Sequence, residues 1–204
     1  MTKIEYIDFV RNSLQMVDKT AKFHREQVSA ALNVAINTVF YEVYRDQPKM
    51  FAKSLERYTT LVSSTPATNA TVGRYHSTLT VDVVDLPKKT GGIIEILTSS
   101  TTTTLFIPVG TMEGEQLYGS EASLPGNVIG FSFSGARDIE YWDMTAGEAA
   151  AGVVIRLIKQ FKSYSSTDNV KLPYGQDARV MELVREYLGV IPPKDTLNNN
   201  ADNG

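Results

Sequence analysis

Any nucleophilic triad or imidazole-based metal site in this chain must be built on His24 or His76, the only two histidines it has. His24 lies in the charged run Lys22-Phe23-His24-Arg25-Glu26 at the start of a helical pattern, where an exposed side chain is expected. His76 falls on the polar face of an alternating segment, away from any second ligand, so neither meets the geometric demands of a site. Gly130-Phe131-Ser132-Phe133-Ser134-Gly135 glances at a nucleophile elbow, but that motif needs a helix directly after the turn. No helical pattern follows Gly135, and the alternation reads as a strand with Phe131 and Phe133 on one face and Ser132 and Ser134 on the other. Asp138 and Glu140 share a strand face with Cβ atoms roughly 6–7 Å apart. That separation suits a glycosidase pair, yet Trp142 is the one tryptophan available to stack on a sugar, and the pair reads as exposed hairpin acids. Gly110-Thr111-Met112-Glu113-Gly114 lacks the Lys-Ser/Thr end of a phosphate loop and carries an acid where phosphate would sit. Arg156, Lys159 and Lys162 form a stripe that reads as the solvated face of a helix. The chain has no cysteine, which excludes disulfides, cysteine zinc sites and a thiol nucleophile. The expectation is a protein without catalytic residues, metal site or cofactor.

The elements that must position these groups follow from pattern and composition. The 204 residues, 42% hydrophobic and 21% charged, fit one compact domain or one domain with an inserted module. Thr2 and Glu5 have capping-box spacing, and Ile7, Val10, Leu14 and Val17 recur on one helical face behind them. A longer helix is expected from about Phe23 to Asp46, with Val28, Leu32, Ala35, Ile36, Val39, Phe40 and Val43 as its stripe. Pro48 forces a turn, and Phe51, Leu55, Tyr58 and Val62 suggest a third helix.

From Ala67 to Asp143 the chain turns rich in Thr, Val, Ile and Gly. Strands are expected at Tyr75 to Val84, Ile93 to Leu97, Thr101 to Val109, Val128 to Ser134 and Ile139 to Trp142, the last two as a hairpin. Pro108 marks an edge strand or its end. Thr145 and Glu148 repeat the capping-box spacing and open a helix with Ala150, Val153, Val154, Leu157, Ile158 and Phe161 buried. Val180, Leu183, Val184 and Leu188 mark a last helix, stopped by Gly189 and Pro192–Pro193. The resulting class is α+β: N- and C-terminal helices forming one helical body, with a central antiparallel β-rich module inserted. The expected division is 1–66 helical, 67–144 β-rich, 145–192 helical and packed on the first part, and 193–204 a flexible tail.

The net charge of −3 argues against a dedicated nucleic-acid binder. Charge is also uneven. Residues 1–66 hold 9 basic and 7 acidic groups, residues 67–145 hold 4 and 9, and residues 146–204 hold 7 and 7. The β-rich part is therefore the acidic part. No run of 18 apolar residues offers a membrane span, and MTKIEYIDFV does not read as a signal peptide. The Ser99 to Thr104 run suits either an exposed ribbon that pairs with another subunit or a plain surface loop.

The order of parts resembles a class of virion proteins. It is carried by Ala31-Leu32-Asn33-Val34-Ala35-Ile36-Asn37 in the long helix, then Leu86-Pro87 and Leu105-Phe106-Ile107-Pro108-Val109 in the β-rich part. Val170-Lys171-Leu172-Pro173-Tyr174-Gly175 follows before the last helix, and Ile191-Pro192-Pro193-Lys194-Asp195-Thr196-Leu197-Asn198-Asn199 after it. Together these resemble the head–tail connector (adaptor, or ring) proteins of short-tailed phages, particularly crAss-like phages. The resemblance implies a non-enzymatic subunit at the head–tail junction of the virion, assembled in the host cytoplasm into a dodecameric ring. Its partners would be further copies of itself, the portal protein and neighbouring ring or tail proteins, with DNA passing through unread and no membrane involved. It also implies that the end of the chain reaches a neighbour, which points to Pro192, Pro193, Asp195, Thr196, Leu197 and Asn198 as partner-binding residues. Residue physics alone leaves a second reading open, a binding or scaffolding module unconnected with virions.

Overall fold

The computed structural model describes residues 1–53, 55–69, 73–99, 104–109, 124, 126–135, 137–173 and 175–190. Thr2 opens helix α1 (Lys3–Val17) with a complete capping box: its hydroxyl accepts from the Glu5 N–H at 3.4 Å, and the Glu5 carboxylate accepts from the Thr2 N–H at 2.8 Å. Helix α2 (Arg25–Asp46) buries the expected stripe from Val28 to Val43. Short helices α3 (Pro48–Lys53) and α4 (Leu55–Tyr58) follow.

The third helical stripe ends early. Val62 belongs to strand β1 (Thr60–Ser64), where the β-branched Thr60 and Val62 are better suited to a pleated surface than to a helix interior. Strands β2 (Ala67–Thr68), β3 (Tyr75–Thr78), β4 (Ile93–Thr98), β5 (Leu105–Pro108), β6 (Val128–Ser134) and β7 (Asp138–Trp142) come next. The strand expected to reach Val84 stops at Thr78, because the chain there leaves one sheet for the other. Leu79, Val83 and Val84 remain buried along the crossing.

The helix expected from Thr145 to Phe161 is also shorter. The capping box at Thr145 and Glu148 is present, but helix α5 covers only Ala146–Ala151. Gly152 ends it at φ 79°, a left-handed backbone that glycine adopts without a Cβ penalty. The β-branched run Val153, Val154 and Ile155 then forms strand β8 (Val153–Leu157), followed by a 3₁₀ turn at Phe161–Ser163 and helix α6 (Asp177–Tyr187). Gly189 stops α6 in the same left-handed region.

The chain is mixed α+β with two mostly antiparallel sheets. One has the order β1-β8-β4, the other β2-β3-β7-β6-β5. Both neighbours of β8 run antiparallel to it, and β6 and β7 form the expected antiparallel pair. The module was expected to be wholly antiparallel, but β5 runs parallel to β6. A parallel neighbour cannot be joined by a tight hairpin, so a longer connection must return the chain to the same end. Pro108 does lie at the end of an edge strand.

Two apolar clusters organise the packing. The first joins the buried faces of α1, α2 and α6 around Leu14, Leu32, Ile36, Phe40 and Val184, closed by Tyr58, Ile158 and Phe161. The second lies between the inner faces of the sheets: Ile93, Ile96, Val153, Ile155 and Leu157 against Ile129, Phe131, Ile139 and Tyr141. A bulge between Ile93 and Glu95 lets Ile93 and Ile96 face inward together, although strict alternation would put them on opposite faces.

Candidate functional site

The five-stranded sheet brings His76 beside Glu140 and Ser132, two residues of one hairpin that stand far from it in sequence. His76 on β3 lies opposite Glu140 on β7, and Glu140 lies opposite Ser132 on β6. The row above holds Arg74, Trp142 and Gly130, with the Arg74 guanidinium 5.2 Å from the centre of the Trp142 ring. The row below holds Thr78, Asp138 and Ser134, where the Thr78 hydroxyl donates to Asp138 Oδ1 at 2.9 Å. All three rows share one face, because side chains two residues apart on a strand point the same way. The opposite face, with Tyr75, Ile139 and Phe131, turns into the second cluster.

This face is polar, closed around Ser132 and Trp142 and open at Thr78, Asp138 and Ser134. Ser132 is 5% and Trp142 3% exposed. Leu124 reaches over Gly130, its Cδ1 only 3.2 Å from where a Cβ would sit. The Leu124 N–H is held by Asp143 Oδ2 at 2.7 Å. Ser132 Oγ, Trp142 Nε1 and His76 Nδ1 keep unused hydrogen-bonding capacity, where most buried polar atoms find a partner. Glu140 instead faces Arg74 at 3.7 Å.

The order of groups decides what this cluster can do. Activating a serine requires the imidazole between nucleophile and acid. Here the carboxylate stands in the middle, and Ser132 and His76 are separated by two strand spacings, about 10 Å. His76 therefore lies out of proton-transfer reach of Ser132. Asp138 and Glu140 do share a face as expected, but each has a local partner in Thr78 or Arg74.

The basic stripe is not on a helix. Arg156 lies on β8 and meets Glu95 at 3.5 Å, Lys159 meets Asp168 at 2.8 Å, and Lys162 meets Asp82 at 3.1 Å. Three cations directed at three separate carboxylates do not converge on one phosphate. The salt link from Lys159 and the Ser165 N–H hold the Asp168 carboxyl well below the usual carboxylate range. His24 occupies the N-cap position of α2, exposed as expected, with its N–H donating to Gln27 Oε1 at 3.3 Å.

Asp82 carries a network that strand alternation missed. It is buried, and its carboxylate accepts from Arg137 Nε at 2.6 Å and Nη2 at 3.2 Å and from the Ser163 hydroxyl at 3.3 Å. The Arg137 hydrogen bonds, with Lys162 beside them, pull its pKa down to about 2. The sequence signal was a lone acid inside Val81-Asp82-Val83-Val84, where a charge needs partners to be buried.

Open surfaces form the remaining candidates. Leu61 on β1, Leu97 on β4 and Leu105 on β5 are exposed, as are Phe9 and Met16 on α1 and Tyr187 on α6. A cleft of about 380 Å3 separates β4 from β5, lined by Ile96, Leu97, Leu105, Phe106 and Phe131, with Lys88 at its edge. Burial lowers the Lys88 pKa to about 8. The Gly110 to Gly114 run, most of the Ser99 to Thr104 run, and the residues expected to bind a partner, Pro192, Pro193, Asp195, Thr196, Leu197 and Asn198, lie outside the described residues. No helix among the described residues is long and apolar enough to cross a membrane. Compared with known proteins, the chain matches no family model and no curated sequence.

Proposed function

We propose that this chain is a non-enzymatic structural subunit of the head–tail connector of a short-tailed phage. In this reading it forms a ring that joins portal to tail and lets DNA pass. The observation that carries the reading is the apolar surface left open on both helices and sheets: Phe9, Met16, Leu61, Leu105 and Tyr187. Leu61 among them lies on β1, whose second edge is paired by no strand among the described residues, a surface that a neighbouring subunit can cover. The resemblance of the residue runs in the long helix, the β-rich part and the chain end adds to it. The placement of Glu140 between Ser132 and His76 favours a binding role over a hydrolytic one.

The finer architecture belongs to the same proposal. One helical body built from both parts of the chain carries a β-rich module, whose acidic composition lines a channel without gripping phosphate. The segment from Pro192 to Asn198 docks on the portal or an adjoining ring, with Leu197 as its apolar anchor and Asp195 as a hydrogen-bonding group. The test is mass photometry and negative-stain microscopy of the purified chain, alone and with its portal. A closed ring in either sample supports the reading. A monomer in both overturns it in favour of a binding module outside virions. A hydrolase activity lost in the His24→Gln/His76→Gln double variant would overturn the non-enzymatic part.

A further inference from the structure

Strand β1 is paired on one side only. Its ladder partner is β8, and no strand among the described residues hydrogen-bonds to its other edge. The direction of its backbone groups follows from the rest of the sheet. The Ser99 N–H donates to the Gly152 carbonyl at 3.1 Å, and the Ile158 N–H to the Gly92 carbonyl at 2.9 Å. Gly152, Val154, Arg156 and Ile158 therefore turn their main-chain groups toward β4. Alternation along an antiparallel ladder turns those of Val153, Ile155 and Leu157 toward β1, where they meet Ser64, Val62 and Thr60. The N–H and C=O groups of Leu61 and Ser63 are left directed at the open edge.

Proteins usually blunt such an edge with a lysine, a proline or a bulge. Thr60-Leu61-Val62-Ser63-Ser64 has no charge and no proline, and its register with β8 runs unbroken. Leu61 is 59% exposed. Beside this edge lies a depression of about 420 Å3, lined by Thr59, Thr60, Leu61, Arg156 and Lys171. Among the described residues its lining holds no carboxylate and two cations: Lys171, whose Nζ donates to the Thr59 carbonyl at 2.6 Å, and Arg156, which Glu95 on β4 meets at 3.5 Å. A strand added at Leu61 and Ser63 brings its side chains over these cations, so an acidic strand fits best.

The chain itself contains such a segment. Residues 90–136 hold four acids and no Lys or Arg, and three of the acids, Glu113, Glu115 and Glu121, lie close together. We propose that the open edge of β1 receives the segment carrying Glu113, Glu115 and Glu121 from a second copy of this chain. Main-chain bonds form to Leu61 and Ser63, and the carboxylates meet Arg156 and Lys171. The contact joins two different surfaces, so each copy uses one to receive and the other to donate, and repetition builds a ring or a filament. This inference rests on the ring reading and names the interface that the reading needs.

Two variants test it. Leu61→Pro removes an N–H that the β8 ladder does not use, a position where an edge strand tolerates proline. The Glu113→Gln/Glu115→Gln/Glu121→Gln variant removes the donated charge. Thermal melts followed by circular dichroism check that both remain folded, and a Ser63→Lys variant replaces Leu61→Pro if that one does not. Sedimentation velocity over a range of concentrations is then expected to show self-association of the unmodified chain and about ten-fold weaker association in each variant. Mixing the two variants is expected to give a 1:1 pair that goes no further, because one intact edge meets one intact segment. If both variants assemble like the unmodified chain, or if the mixture gives no pair, the edge assignment is overturned while the ring reading stands. If the unmodified chain stays monomeric alone and with its portal, the ring reading fails first and the interface with it.

Discussion

On the three-stranded sheet the outward side chains are Leu61, Ser63, Val154 and Leu97, with one ion pair between Arg156 and Glu95. On the five-stranded sheet they are His76, Glu140, Ser132 and Trp142, with Arg74 stacked above. Leu61 and Leu97 of the apolar set are open, while Ser132 and Trp142 of the polar set are buried, the reverse of what isolated stability favours. Both sheets meet the same demand on their inner faces, where they share one cluster. The difference therefore comes from what each outer face must meet. An exposed Leu61 loses little in water, whereas Ser132 and Trp142 are buried with hydrogen-bonding capacity unspent.

The largest expected effect tests whether the sheets really share a core. Ile155 on β8 and Ile139 on β7 are both fully buried in the common cluster. Replacing either with alanine is expected to cost about 2–5 kcal/mol through lost burial and a residual cavity. Urea denaturation should show one transition in each variant. Two transitions in Ile155→Ala would make the three-stranded sheet an independent unit and break the comparison.

A smaller effect concerns the ionic tie between the crossing segment and the rest of the fold. The folded Asp82 pKa is depressed to about 2 by Arg137 and Lys162. A depressed carboxylate contributes stability above its unfolded pKa, near 3.8, and loses it as pH falls through the folded value. Asp82→Asn is therefore expected to destabilise by about 1–2 kcal/mol at neutral pH, after allowing for the exposure of Arg137 and Lys162. Denaturation series should show the gap closing between pH 4 and pH 2. A gap that stays constant across this range would mean that Asp82 acts through packing and not through charge.

The smallest effect sharpens the contrast between the outer faces. Ser132 Oγ is buried with no hydrogen-bond partner among the described residues, so Ser132→Ala is expected to leave stability unchanged or to raise it by up to about 1 kcal/mol. A clear loss of stability in a chemical denaturation curve would show the hydroxyl bonded within the fold.

Local pattern made the helices readable. The capping boxes at Thr2 and Thr145 and the stripe from Val28 to Val43 are properties of a few neighbouring residues, and the structure reproduces them. Strand β8 was missed because Val153, Val154, Leu157, Ile158 and Phe161 also fit a helical stripe. Gly152 was the discriminating residue, since it cuts that stripe where the β-branched run begins. In the cluster of His76, Glu140 and Ser132, the β6–β7 hairpin is a local feature, but the place of His76 beside it could not be read locally. Each residue reads as lying on a polar strand face, but only the pairing of β3 with β7 sets His76 beside the other two. The parallel run of β5 along β6 depends on the path of a long connection, which strand alternation does not encode.

Sheet one takes its strands from three distant stretches, so Thr60 waits for Leu157 before either can pair. The first residues wait as well: the Lys3 N–H bonds to the Asp168 carbonyl and the Val170 N–H to that of Met1. On the ribosome, a nascent chain interrupted before Leu157 would emerge with β1 and β4 both lacking their central neighbour. Such bare strands are what chaperones hold and what aggregates recruit. Translation of this protein therefore has a late commitment point: shortened products ending before β8 should go to inclusion bodies, and slow codons upstream of it would lengthen the hazardous interval.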